Sequence, residues 1–262
     1  MKQNTHTVKV VIPIYRTEIK DWERDALANT MKILAAYPIV FLKPAELDIS
    51  ELTETYPQAT VMSVTSEWLG TRNGISGYNK MMMSEEFYNL FPDTTYILIC
   101  HLDAWIFRDE LLQWCKEGYD LVAAPWPTRP RYTHFPLKQY LQLQKFLSGS
   151  RKNIRIQMYG HIGNGGLSLR KVSAFAQACK RYTKEIDYYL SKSDDGMYYE
   201  DIFWALVPKE FNYPSAQTAL QFAYDLKPKL CHQLNHQQLP MGCHGFTHKS
   251  RILFWKQFIP NL

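Results

Sequence analysis

No apolar run in this sequence is long enough to cross a bilayer. The longest, Val10–Tyr15, Tyr37–Leu42 and Tyr96–Cys100, fall far short of the roughly 20 residues a spanning helix needs. Met1–Val8 is polar and runs straight into a strand-like segment, which argues against a secretory leader and for a cytoplasmic protein. Cysteine is sparse as well. Cys100, Cys115, Cys179, Cys231 and Cys243 are scattered and include no C-x-x-C pair, which excludes a disulfide framework. Also missing are G-x-G-x-x-G after the first strand, G-x-x-x-x-G-K-[ST], H-E-x-x-H and G-x-S-x-G, so dehydrogenase, P-loop NTPase, zincin and serine-esterase readings lose their support. The C-H-x3-H pattern at Cys231–His236, repeated at Cys243–His248, matches no standard zinc module, and structural zinc is not expected there.

One charge sign is missing from a long stretch. Between Asp120 and Glu185 there are 12 Lys/Arg and no Asp or Glu; with a net charge of +5, the remaining chain carries 5 − 12 = −7. A basic region of this kind favours phosphate-bearing partners: a nucleotide, a lipid diphosphate or an anionic membrane surface. Nucleic acid is not expected, since no RNA-binding module is recognisable and the rest of the chain is acidic.

What is present is β-α-β alternation over 262 residues, 46% of them hydrophobic, a length and composition that suit one domain. Strands are expected at Val8–Tyr15, Ile39–Leu42, Ala59–Val64, Tyr96–Cys100 and Leu121–Ala124. Helices are expected at Asp21–Ala36, Tyr78–Leu90 and Asp109–Lys116. The fold class is α/β with a mainly parallel sheet, in which ligands bind beyond the carboxyl ends of the strands. After Pro125 the pattern breaks into a Pro-punctuated basic insertion to Arg155, with one helix near Lys138–Leu147; this is a candidate acceptor-side lid.

Four local features bear on chemistry. Asp103 in His101-Leu102-Asp103-Ala104-Trp105 follows a hydrophobic strand, where a carboxylate either coordinates a divalent cation or caps a turn. Gly163-Asn164-Gly165-Gly166 allows positive φ and close approach of a ligand to the backbone, or serves a tight turn. Glu200-Asp201 opens an apolar helical stretch, either as a general base in a partly dry pocket or as a complement to the helix dipole. Trp105 and Trp126, in presumed site loops, offer flat rings suited to the C–H face of a sugar, or belong to the core edge.

Taken in order, Val10-Val11-Ile12-Pro13-Ile14-Tyr15, Ile75-Ser76-Gly77-Tyr78-Asn79-Lys80, Leu102-Asp103-Ala104, Gly163–Gly166, Glu200-Asp201 and Leu239–His244 resemble the GT-A-fold glycosyltransferases. More closely, from Val8 to Ile259, the chain is similar to a bacterial family known only as a domain of unknown function. The resemblance implies a single GT-A-like, Rossmann-like domain over 1–262, with a nucleotide-binding half at about 8–125 and an acceptor-side half at about 126–262. It implies a hexosyltransferase of inverting mechanism acting in surface polysaccharide synthesis, with a nucleotide-sugar donor and a glycan or lipid-linked acceptor. Tyr15 would face the base; Gly77, Asn79 and Lys80 would lie near the ribose and diphosphate; Asn164, Gly165 and Gly166, with Trp105 and Trp126, complete the expected substrate-binding residues. Asp201 would be the catalytic base, with Glu200 orienting the acceptor, and His244 would close over the diphosphate. Asp103, His101 and His244 are the expected ligands of a divalent Mn2+ or Mg2+ ion. Trp105 stands where the D-x-D pattern has its second acid, which keeps open the alternative of a non-catalytic glycan- or nucleotide-binding module. The basic region would reach the inner face of a membrane.

Overall fold

The computed structural model describes residues 7–148, 154–192 and 195–262. Its central sheet has the strand order β3-β2-β1-β4-β7-β6. Here β1 is Val8–Pro13, β2 Ile39–Pro44, β3 Thr60–Val64, β4 Tyr96–Cys100, β6 Leu121–Ala123 and β7 Leu167–Lys171. A second sheet, β5-β9-β8, is formed by Ala104–Ile106, Gly242–His244 and Ala223–Tyr224.

The continuous apolar runs become central strands because helices cover both faces. Along β1, Val11 enters one core cluster and Val10 and Ile12 the other; along β4, Ile97 and Ile99 oppose Leu98 and Cys100 in the same way. Strands β3, β2, β1 and β4 run parallel, so their carboxyl ends gather on one edge. Strand β7 inserts antiparallel between β4 and β6. The boundary near residue 125 therefore does not separate two layers: a strand from the later part of the chain completes the sheet begun by the earlier part.

Two element assignments change. The single helix expected at Tyr78–Leu90 is two, Gly74–Met82 and Glu85–Asn89. Ser84 divides them: its Oγ accepts from the Phe87 N–H and donates to the Met81 carbonyl, and Glu85 and Glu86 complement the new helix start. The loop expected after β4 is the short strand β5, paired antiparallel with β9 so that Ala104 faces His244. The helix expected in the basic insertion spans Leu137–Ser148. No helix among the described residues is long and apolar enough to cross a membrane.

Candidate active site

The pairing of β5 with β9 carries His244 to the carboxyl end of β4. The Gly245 N–H donates to the Asp103 carbonyl, and the His101 N–H donates to the Gly166 carbonyl, fixing these loops to one another. One ligand atom from each of His101, Asp103 and His244 lies within 4.8 Å of the others. His244 Nε2 is 3.0 Å from Asp103 Oδ1, with the two side chains 20% and 32% exposed, so a ligand can reach them. Against the burial that would raise it, His244 and His101 hold the Asp103 carboxyl well below the usual range. Burial disfavours the charged form of His244, but Asp103 and Asp225 more than offset this and push its pKa up to about 10. Burial and the neighbouring His244 push His101 down to about 4, so that ring stays neutral with a lone pair available. Tyr78 Oη lies 2.8 Å from His101 Nε2 and holds the ring's orientation.

The other nitrogen of His244 has two neighbours of opposite character. Nδ1 lies 3.1 Å from Asn164 Nδ2 and 3.7 Å from Asp225 Oδ1. Asn164 cannot flip, because its Oδ1 accepts from the Gly166 and Leu167 N–H groups; its amide nitrogen can only donate to a bare Nδ1. The Asp225 carboxylate, 3.7 Å away, instead favours a protonated Nδ1 by its charge. Only the second tautomer bares Nε2 toward Asp103 for a cation, and Asp225 is the outer carboxylate that would hold it. Two imidazoles and one carboxylate suit Mn2+ better than Mg2+, which prefers an all-oxygen shell.

Beside this cluster, at the carboxyl ends of β1 and β4, lies a cleft of about 420 Å³ lined by Tyr15, Leu69, Gly70, Ile75, Tyr78 and His101, among others. Tyr15 and Ile75 are exposed at its mouth, where a flat ring could pack.

The glycine run serves the protein's own side chains. A Cβ on Gly163 would lie 1.9 Å from the Trp126 ring, one on Gly165 2.1 Å from Glu200 Oε1, and one on Gly166 2.0 Å from His244 Nε2. At each of these three positions the missing Cβ makes room for one of the protein's own side chains. Asn164, at φ 101°, turns the chain through the left-handed region between them.

Glu200 and Asp201 separate into different environments. Glu200 is buried, with Oε1 3.0 Å from Arg170 Nη2, and its own N–H donates to Asn79 Oδ1. Its Oε1 is thereby committed to Arg170. Arg170 is equally enclosed, with Ser168 and Tyr88 as its other partners. Asp201 is partly exposed and accepts from the Ile202 N–H. Desolvation first, then the charge of Glu200, pushes its pKa up to about 7.

Gly77 packs against the Glu67 and Trp68 carbonyls, Asn79 ties its helix to Glu200, and Lys80 is exposed without lining the cleft. Trp105 is half-buried and lies edge-on to Phe246, and Trp126 is buried over Gly163. The Cys231–His248 cluster disperses: Cys231 and Cys243 are buried thiols, His232 packs on Phe254 and Phe258, and His248 pairs with Ser250. Asp225 and Arg251, joined by a salt bridge under the His244 loop, were not foreseen; nothing in Tyr224-Asp225-Leu226 distinguishes it from an ordinary strand end.

A family model described as "Protein of unknown function (DUF5672)" matches residues 58–244. The chain belongs to this family. No curated protein matches it in sequence. Among solved structures, the galactosyltransferase LgtC in complex with donor and acceptor sugar analogues superposes with a TM-score of 0.55 at 12% identity, over 90% of this chain and 86% of that one. Mouse xyloside xylosyltransferase 1 gives 0.54 at 11% identity, over 94% and 98%. The DUF5672 chain thus has the mixed, mainly parallel fold of the GT-A glycosyltransferases.

Proposed function

We propose that this protein transfers a sugar from a nucleotide-sugar donor to a glycan or lipid-linked acceptor in bacterial surface polysaccharide synthesis. The observation that carries the reading is the convergence of Asp103, His101 and His244 beside the Tyr15–Ile75–His101 cleft, at the strand ends where this fold class binds ligands. A nucleoside fits the cleft, with its base between Tyr15 and Ile75, and its diphosphate falls at the cluster.

The acceptor hydroxyl attacks the anomeric carbon, the bond from that carbon to the diphosphate oxygen breaks, and the hydroxyl proton passes to Asp201. A carboxyl pushed up to about 7 is basic enough for that role and is half ionised near neutrality. Attack from the face opposite the leaving group inverts the anomeric centre. A divalent ion held by Asp103, His101 and His244 would neutralise the charge developing on the diphosphate. Asp225 orients His244 for that task, and Gly166 leaves the imidazole room beside the chain.

The test is calorimetric titration with uridine and guanosine diphosphates, with and without Mn2+. Binding that strengthens with Mn2+ is expected. Folded protein that binds neither nucleotide under either condition overturns the donor site, whereas nucleotide binding with no hydrolysis or transfer in any donor screen favours a binding module.

A further inference from the structure

The helix Leu137–Ser148 faces the wrong way for a helix in water. Leu141 is buried, and Lys145 is turned inward, its Nζ donating to the Tyr159 carbonyl. The opposite face carries Tyr140, Leu143, Phe146 and Leu147, exposed by 53%, 53%, 84% and 64%, and Phe135, just before the helix, is 81% exposed. At 100° per residue these four helical positions fall within one sector of about 120°, away from Leu141. With Leu137, six of the 14 exposed large hydrophobic residues among the described ones lie between positions 135 and 147, whereas the others are scattered. A concentration of this kind marks a contact surface.

Its flanks are cationic. Arg129, Arg131 and Arg155 are all exposed, none is in an ion pair among the described residues, and no acidic residue occurs in the sequence from 121 to 184. We propose that this face docks on an anionic membrane, the apolar stripe entering the headgroup boundary and the flanking cations meeting lipid phosphates. A second copy is a poor occupant: a two-fold contact would set the same all-basic segment against itself. An interfacial helix with an apolar face and basic flanks has the complementary chemistry. The inference goes beyond the proposed sugar transfer and does not depend on it, although such docking would bring a lipid-linked acceptor to the site.

The experiment is co-sedimentation of the full chain with vesicles of phosphatidylcholine containing about one-third phosphatidylglycerol, against phosphatidylcholine alone, where each cation near the surface contributes about fivefold to partitioning. The expected result is binding to the anionic vesicles that falls at least about tenfold in Phe146→Ser/Leu147→Ser and at high salt, while the exposed variant Val61→Ser, on the edge strand β3 at the far side of the sheet, binds as wild type. Absence of binding to anionic vesicles, equal binding to neutral ones, or indifference to the double substitution overturns the proposal. So does a dimer in analytical ultracentrifugation that the same double substitution dissociates. Nucleoside diphosphate titration of the double variant reads the cleft separately, so loss of docking and failure of the donor site are distinguishable.

Discussion

His244 Nε2 lies 3.0 Å from Asp103 Oδ1, across the pairing of two three-residue strands from distant parts of the chain. The contact joins the strand-end carboxylate of the main sheet to the last strand of the small one. Asp225 and Asn164 then compete for the other nitrogen of the same ring. A cation and a proton thus have alternative claims on one side chain, and metal affinity should rise as the proton is removed.

Asp103→Asn should abolish the Mn2+-dependent part of nucleoside diphosphate binding, a loss of at least about tenfold in affinity, which is the lower end of what disturbing a metal site costs. Because Asp103 is partly exposed, the fold should persist. Calorimetry with and without Mn2+, together with far-ultraviolet dichroism, checks both halves; unchanged Mn2+ dependence would remove Asp103 from the ligand set.

Asp201→Asn preserves shape but not basicity. Transfer should fall about 10²–10⁴-fold while nucleotide affinity stays within twofold or so of wild type. The wild-type rate should climb with pH through about 7, as the carboxyl ionises, and this limb should vanish in the variant. Near-normal turnover with a cognate donor and acceptor would shift the base to another group and the mechanism toward retention.

The same shift sets a stability trend. The folded-state pKa of Asp201 lies above the 3.8 of an ordinary aspartate, so the folded protein holds this proton more tightly than the unfolded chain. Its contribution is present at low pH and is lost as pH rises from about 4 through about 7. Asp201→Asn should therefore melt higher than wild type at pH 8, with the difference shrinking toward pH 4, as read by thermal denaturation across that range.

Glu200→Gln leaves the Arg170 guanidinium buried without its counter-charge. The side chains are 1% and 3% exposed, so solvent cannot take the place of the partner. The expected cost is about 3–5 kcal/mol, or roughly 6–20 °C in Tm for a chain of this size. The double variant Arg170→Met/Glu200→Met should be less destabilised than Glu200→Gln alone. Equal losses would show that hydrogen bonds to Tyr88 and Ser168, rather than the charge pair, dominate there.

Gly166→Ala and Gly163→Ala separate function from packing. The first places a methyl 2.0 Å from His244 Nε2 and should reduce Mn2+-dependent nucleotide binding more than stability, because the imidazole can swing toward solvent. The second meets the buried Trp126 ring at 1.9 Å and should mainly lower Tm. Titration and thermal melting of both proteins distinguish the two effects.

The sheet was legible in the sequence because its determinants are local. Runs such as Val10–Tyr15 and Tyr96–Cys100 are apolar on both faces, which only a helix-covered strand satisfies, and strand ends locate the ligand edge without knowledge of any side-chain contact. Asp103 and Asp201 stand out for the same reason, as polar residues at the junctions of such runs. What the tertiary structure alone decided is how residues with similar local signatures divide. Adjacent acids point apart on a helix, so Glu200 went to Arg170 in the core and Asp201 to the partly open rim. Strands of two or three residues have no periodicity to read, so β5, β8 and β9 arose from pairing across the chain, and with them the meeting of Asp103, His244 and Asp225. Glycines announce close approach but not what approaches: at 163, 165 and 166 the answer was Trp126, Glu200 and His244, because packing is settled by neighbours remote in sequence.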